Sequence, residues 1–116
     1  MEFILRKIIK KTGGITMKFG YCRDISEKMT FKRAGYDYQN IVFDEEHHCG
    51  IWKMTKVIDG KVEDMGYEVV RGMKKINPDG GIVYCYPGDE QFGTYGFFDY
   101  HLDRVKKILE RWTNED

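Results

Sequence analysis

The sequence predicts an α+β fold, an antiparallel meander sheet of about five strands covered by a C-terminal helix. Three observations predict it. First, IWKMTKVI and KVEDMGYEVV flank Asp59-Gly60, the preferred pair for a two-residue type I′ hairpin turn. Second, ITMKFGYC, YDYQNIVF and IVYCY are rich in the aromatic and β-branched residues of strands. Third, Leu102, Val105, Ile108, Leu109 and Trp112 recur at helical spacing and form one apolar stripe.

The chain begins with EFILRKIIKKTGG, where Ile4 with Ile8 and Leu5 with Ile9 are i,i+4 apolar pairs. Lys10 and Lys11 suit the C-terminal end of a helix dipole, and Gly13 suits the position after it. A strand is the alternative, because isoleucine is β-prone and no strong N-cap precedes the run. KTGGITM also back-translates with A-rich codons to AAA ACA GGA GGA ATT ACA ATG, which places GGAGG just before an ATG, as in a bacterial ribosome-binding site. Residues 1–16 are accordingly expected to be a basic segment of translated leader, with Met17 as the natural start and 17–116 as a single α+β domain.

ITMKFGYC is the first expected strand. ISEKMTFKRAG is open: Ser26 can cap a short helix, while Met29, Phe31 and Arg33 alternate as in a strand. YDYQNIVF is a strand. The Asp59-Gly60 turn sets a register in which Ile58 faces Lys61, Lys56 faces Glu63, Met54 faces Met65 and Trp52 faces Tyr67. One face then carries Trp52, Met54, Met65, Tyr67 and Val69; the other carries Lys53, Thr55, Asp64 and Glu68. The second strand runs on through Met73, Asn77-Pro78-Asp79-Gly80-Gly81 turns the chain, and residues 82–86 return, so that 51–86 forms a three-stranded meander. Tyr86-Pro87 ends that strand, Gly88 to Gly96 is a turn region, and Asp99 is the N-cap of a helix over 100–112. Asp103 with Lys107 and Lys106 with Glu110 are i,i+4 ion pairs on its wet face.

Composition narrows the classes. An aromatic fraction of 15% and a hydrophobic fraction of 41% favour a folded chain over a disordered one. No apolar run reaches the ~20 residues of a membrane helix. No signal peptide is evident, because Arg6, Lys7, Lys10 and Lys11 interrupt the first apolar run. The expected compartment is the cytoplasm, and Cys22, Cys49 and Cys85 are expected as reduced, mostly buried thiols. Zero net charge hides an asymmetry: residues 1–33 carry nine Lys or Arg against three Asp or Glu, and residues 34–116 carry ten against sixteen. A basic face toward an anionic partner is one consequence.

The most metal-like cluster is DEEHHCG, where Glu46, His47, His48 and Cys49 are all ligand types. Adjacent residues on a strand point to opposite faces, so this spacing opposes convergence on one ion and no metal is expected. One serine, Ser26, and no G-x-S-x-G leave nucleophilic catalysis little to stand on, and no phosphate loop is present. Lys18, Arg23, Lys32 and Arg33 sit among Tyr36 and Tyr38, a mixture suited to phosphates and stacked bases.

YPGDEQFGTYG followed by a charged helix resembles the C-terminal end of small proteins of bacterial phages and mobile elements. The resemblance covers residues 84–110 and rests on Tyr86, Pro87, Asp89, Glu90, Phe92, Gly93 and Gly96. It implies a mobile-element origin and an α+β fold, and it implies no activity. The segment is also distantly similar to the end of WGR domains, but the Trp-Gly-Arg triplet is absent and their nucleic-acid role is not carried over.

The functional expectation is a small non-enzymatic binding protein without cofactor, acting on a protein partner through Asp89, Glu90, Tyr95, Phe97 and Phe98. The alternative is a nucleic-acid module using Lys18, Arg23, Lys32, Arg33, Tyr36 and Tyr38. A metal-dependent enzyme using Glu46, His47, His48 and Cys49 is third. No membrane partner is expected, and a homo-oligomer is compatible with the sequence.

Overall fold

A computed structural model describes residues 22–114. The expected N-terminal helix, Lys18 and all but the last residue of the ITMKFGYC strand lie outside the described residues. Within the described residues run seven strands and one α-helix: β1 Thr30–Arg33, β2 Tyr36–Asp44, β3 Cys49–Ile58, β4 Lys61–Arg71, β5 Met73–Ile76, β6 Ile82–Cys85, β7 Gly96–Asp99 and α1 Leu102–Thr113. Short 3-10 turns, Ile25–Glu27 and Asp89–Gln91, precede β1 and β7. The main sheet is antiparallel in the order β1-β2-β3-β4-β7, and α1 packs on it, as the sequence predicts.

Both tight hairpins use left-handed pairs. Asp59 and Gly60 have φ of 51° and 78°, the geometry a type I′ turn requires. Ala34 and Gly35 do the same at 54° and 85°, which the sequence conceals because alanine rarely accepts positive φ.

The β3–β4 register starts as predicted, with Ile58 opposite Lys61 and Lys56 opposite Glu63. It then shifts: Met54 faces Gly66 rather than Met65, and Trp52 faces Glu68 rather than Tyr67. Met65 is the extra residue of a β-bulge, and Gly66 beside it has φ of 112°, a value glycine tolerates. Because side chains alternate with period two, the bulge exchanges the faces of everything after it. Tyr67 and Val69 turn toward α1, and Glu68 turns inward beside Trp52.

Each sheet face therefore has its own core. On one, Ile51, Val69 and Cys49 pack with Val105 and Trp112 of α1, flanked by Tyr67, Phe97, Leu102, Ile108 and Leu109. Full burial of side chains such as Ile51, Val69 and Val105 stabilises by about 1.5–3 kcal/mol apiece. On the other face, Trp52, Met54, Val70 and Tyr38 pack under Ile25, Tyr84, Tyr86 and Phe92.

The predicted meander of 51–86 is corrected at its third strand. β4 ends at Arg71, and β5 pairs with β6 as a separate two-stranded sheet. Gly72 marks the break: a Cβ there would lie 2.6 Å from Tyr84 Cβ, so this close approach requires glycine. Residues 86–95 cross the Trp52 face, and β7 takes the place beside β4. The Asn77 to Gly81 turn forms as expected, with Gly80 N–H donating to Asn77 C=O at 2.8 Å. Asp99 is the last residue of β7 rather than the helix N-cap; its carboxylate accepts the His101 N–H at 2.7 Å, and α1 starts at Leu102.

Cys22 and Cys85 form a disulfide, which corrects the expectation of three reduced thiols; Cys49 stays a buried thiol. The disulfide fixes one end of a strap over residues 22–28. Asp24, not Ser26, caps the 3-10 turn by accepting from Ser26 N–H at 3.1 Å, and its other oxygen accepts from Tyr84 N–H at 3.0 Å. Lys28 C=O accepts the Trp52 indole N–H at 2.7 Å. Partial burial raises the Asp24 carboxyl, but the hydrogen bonds from Ser26 and Tyr84 outweigh it and hold the group below its ordinary 3.8. A depressed carboxyl contributes stability above its unfolded value and loses it as pH falls through the folded one. Asp24→Asn is therefore expected to destabilise at pH 7, with the difference from wild type vanishing as pH drops below 3.8; urea unfolding at both pH values checks it.

Candidate functional site

The bulge that turns Glu68 inward builds a buried ionic group on the Trp52 face. Glu68 is 5% exposed. Arg33 at the end of β1 donates through Nη2 to both Glu68 oxygens, at 2.9 and 3.2 Å. Tyr86 O–H donates to Oε1 at 2.7 Å, and Tyr38 O–H lies 3.3 Å from Oε2. Burial, then the Glu68 charge, pushes the Tyr86 phenol far above its ordinary range and Tyr38 upward in the same way. Burial alone would lower Arg33, but the Glu68 charge together with the Tyr38 and Tyr86 oxygens outweighs it and raises the guanidinium. The rings close around it: Arg33 sits over Tyr38, Tyr86 and Phe92, and Lys28 over Phe31 and Tyr86. With both carboxylate oxygens accepting, this cluster is suited to holding β1, β4 and the 86–92 segment together rather than to proton transfer.

The second feature is an unfinished sheet edge. β7 pairs with β4 only from Tyr67 to Val70. No strand among the described residues pairs with the outer side of Lys61 to Gly66. Val62 on that stretch is 70% exposed, and its cross-strand partner Val57 and neighbour Ile58 are exposed too. At the inner end Phe98 lies across Gly66, close enough that a Cβ there would meet its ring at 2.7 Å. Phe98 and the highly exposed Tyr100 stand edge to face at 4.9 Å.

The residues expected to bind a partner divide. Asp89 and Glu90 are exposed on the 3-10 turn ahead of Phe92, whose ring packs on Gly96 at the start of β7. Phe98 is exposed. Tyr95 is half-buried and binds β4 through its backbone, its C=O accepting from Arg71 N–H at 2.9 Å. Phe97 turns the other way: its half-buried side chain packs near Trp112 beneath α1, because β7 alternates and Phe98 takes the opposite face.

The basic-aromatic set is dispersed. Tyr38 is buried and Arg33 faces Glu68. Lys32 lies on the other side of β1 with Asp37 at 3.2 Å, and Arg23 faces Glu27 at 3.6 Å. Tyr36 is half-buried under Lys56. The Glu46 to Cys49 run diverges in the same way. His47 Nδ1 lies 3.0 Å from Asp44, which with the His47 N–H holds the Asp44 carboxyl below its usual range. His48, at φ of 55°, stacks on Tyr84, and Cys49 points into the α1 core. Glu46 is exposed. No group of three metal-ligand side chains converges among the described residues.

Sequence reasoning missed Val57, Val62 and Tyr100. The only signal for the two valines was apolar residues next to the Asp59-Gly60 turn, which usually means core, and for Tyr100 its place in the aromatic-rich run ahead of the helix.

Fold and site together define an α+β protein with a five-stranded antiparallel sheet and a helix on one face. Among the described residues the sheet keeps an open strand edge flanked by exposed aromatic side chains. Among family models, curated proteins and solved structures, nothing matches the chain. No helix among the described residues is long and apolar enough to cross a membrane.

Proposed function

We propose that the protein is a non-enzymatic binding module that takes a protein partner at the β4 edge left unpaired among the described residues and at the adjoining end of β7. The observation that carries this reading is the Phe98–Tyr100 pair, exposed at the end of a sheet edge where backbone donors and acceptors are open to another strand. Aromatic side chains of this kind supply large contact area at low conformational cost. The dispersal of Arg23, Lys32, Arg33 and Tyr38 favours this over the nucleic-acid alternative. A mobile-element origin is part of the proposal and rests on the resemblance over residues 84–110. The disulfide supports an oxidising compartment rather than the cytoplasm.

The test is a photo-crosslinking amino acid placed at Tyr100, with Lys106 on the exposed side of α1 as control. In the native host, a discrete adduct is expected from position 100 and not from 106. No adduct, or equal labelling from both, rejects the surface.

A further inference from the structure

We propose that the edge of β4 left unpaired among the described residues pairs with the same edge of a second copy of this chain, continuing the sheet about a two-fold axis at Val62. The proposal rests on the reading of that edge as the interaction surface, and it names the partner.

Geometry selects the register. A two-residue hairpin loop closes on a hydrogen-bonded pair, here Ile58 with Lys61, so the N–H and C=O groups of Val62 and Asp64 project away from β3. A two-fold axis normal to the sheet keeps every side chain on its own face, so an antiparallel self-pairing must centre on one residue. Centring on Lys61, Glu63 or Asp64 sets like charges directly opposite one another. Centring on Val62 sets Lys61 opposite Glu63 of the second copy, twice, and lets Val62 exchange both backbone hydrogen bonds with its counterpart.

The faces agree with this choice. Val62 shares its face with Val57, and the two are 70% and 57% exposed. Pairing at Val62 brings four valines together on one face and two opposite-charge pairs on the other. The strand is regular there, since the bulge begins only at Met65. In this register Asp59 of the second copy falls opposite Met65, so its turn comes against the Phe98 ring lying over Gly66. Charged side chains, a proline or a bulge guard an edge against association, and here the bulge lies beyond the pairing centre, at Met65. Lys61-Val62-Glu63 carries complementary signs around an apolar centre.

Sedimentation of the full chain from about 10 μM to about 1 mM tests it, the range in which so short an interface associates. A reversible dimer is expected. Lys61→Glu and Glu63→Lys are each expected to weaken it at least tenfold, by setting like charges opposite. An equimolar mixture of the two variants is expected to regain association, because a chain with acids at both positions then pairs with a chain with lysines at both. Wild type that stays monomeric throughout overturns the proposal, as does a mixture no stronger than its components. Melting curves confirm that each variant is folded. Should either fail, Val62→Cys under mild diamide oxidation replaces it: covalent dimer supports the pairing, and its absence overturns it. A monomeric protein whose Tyr100 position crosslinks a different chain overturns self-pairing and leaves the interaction surface standing.

Discussion

Replacing Arg33 with methionine is expected to destabilise the protein by about 3–5 kcal/mol, the cost of leaving a buried carboxylate without its cation. Glu68 is 5% exposed and receives Arg33 Nη2 on both oxygens, so its carboxylate relies on the guanidinium more than on bulk solvent, although the Arg33 side chain is itself 32% exposed. Tyr86 and Tyr38 supply neutral donors, which stabilise the charge less than a cation does. Adding Glu68→Leu to the Arg33→Met chain is expected to recover a large part of the loss, because the charge is removed with its partner. Recovery stays incomplete, since the Tyr86 hydroxyl loses its 2.7 Å acceptor. Urea unfolding of the two single variants and the double gives the coupling. Additive single-site costs would show that Arg33 and Glu68 do not act as a pair.

Breaking the Cys22–Cys85 bond is expected to have a comparable effect. The bond joins residues 63 apart in sequence, and the chain-entropy relation for such a loop gives about 4 kcal/mol. The reduced protein is expected to keep its fold at a lower melting temperature. Ile25 in the Trp52 core, Asp24 on the Tyr84 N–H and Lys28 C=O on the Trp52 indole still hold the strap. Thermal melts with and without a thiol reductant, and of Cys22→Ser, measure it. Hydrogen exchange is expected to rise first over residues 22–28, the segment the bond tethers. Equal melting temperatures in the two conditions would mean that the bond does not constrain the unfolded chain.

Much of the fold was legible because it is local. Asp59-Gly60 specifies a turn by the φ values its two residues accept, and the stripe from Leu102 to Trp112 specifies a helix face by spacing alone. What failed to be legible was the consequence of one residue. Alternation along KVEDMGYEVV reads equally well with or without a bulge at Met65, yet the bulge moves Glu68 from water to core and Tyr67 to the helix. Gly66 is the sole local hint. The same limit hid the site: Phe97 and Phe98 are adjacent and alike, and only the placement of β7 beside β4 sends one under α1 and leaves the other exposed. The IVYCY strand was recognised but assigned the wrong neighbour, since strand composition says nothing about pairing.

By itself, the sequence determined the class of fold, the β3–β4 and β5–β6 turns, and the helix with its buried stripe, all of which follow from backbone preferences and side-chain periods within a few residues. Only the tertiary structure decided that β7 rather than β6 borders β4, that Cys22 reaches Cys85, that Arg33 meets Glu68, and that no strand among the described residues pairs with the outer side of Lys61 to Gly66. Each of these depends on contacts between residues far apart in the chain, where one bulge and one close glycine contact outweigh any local preference.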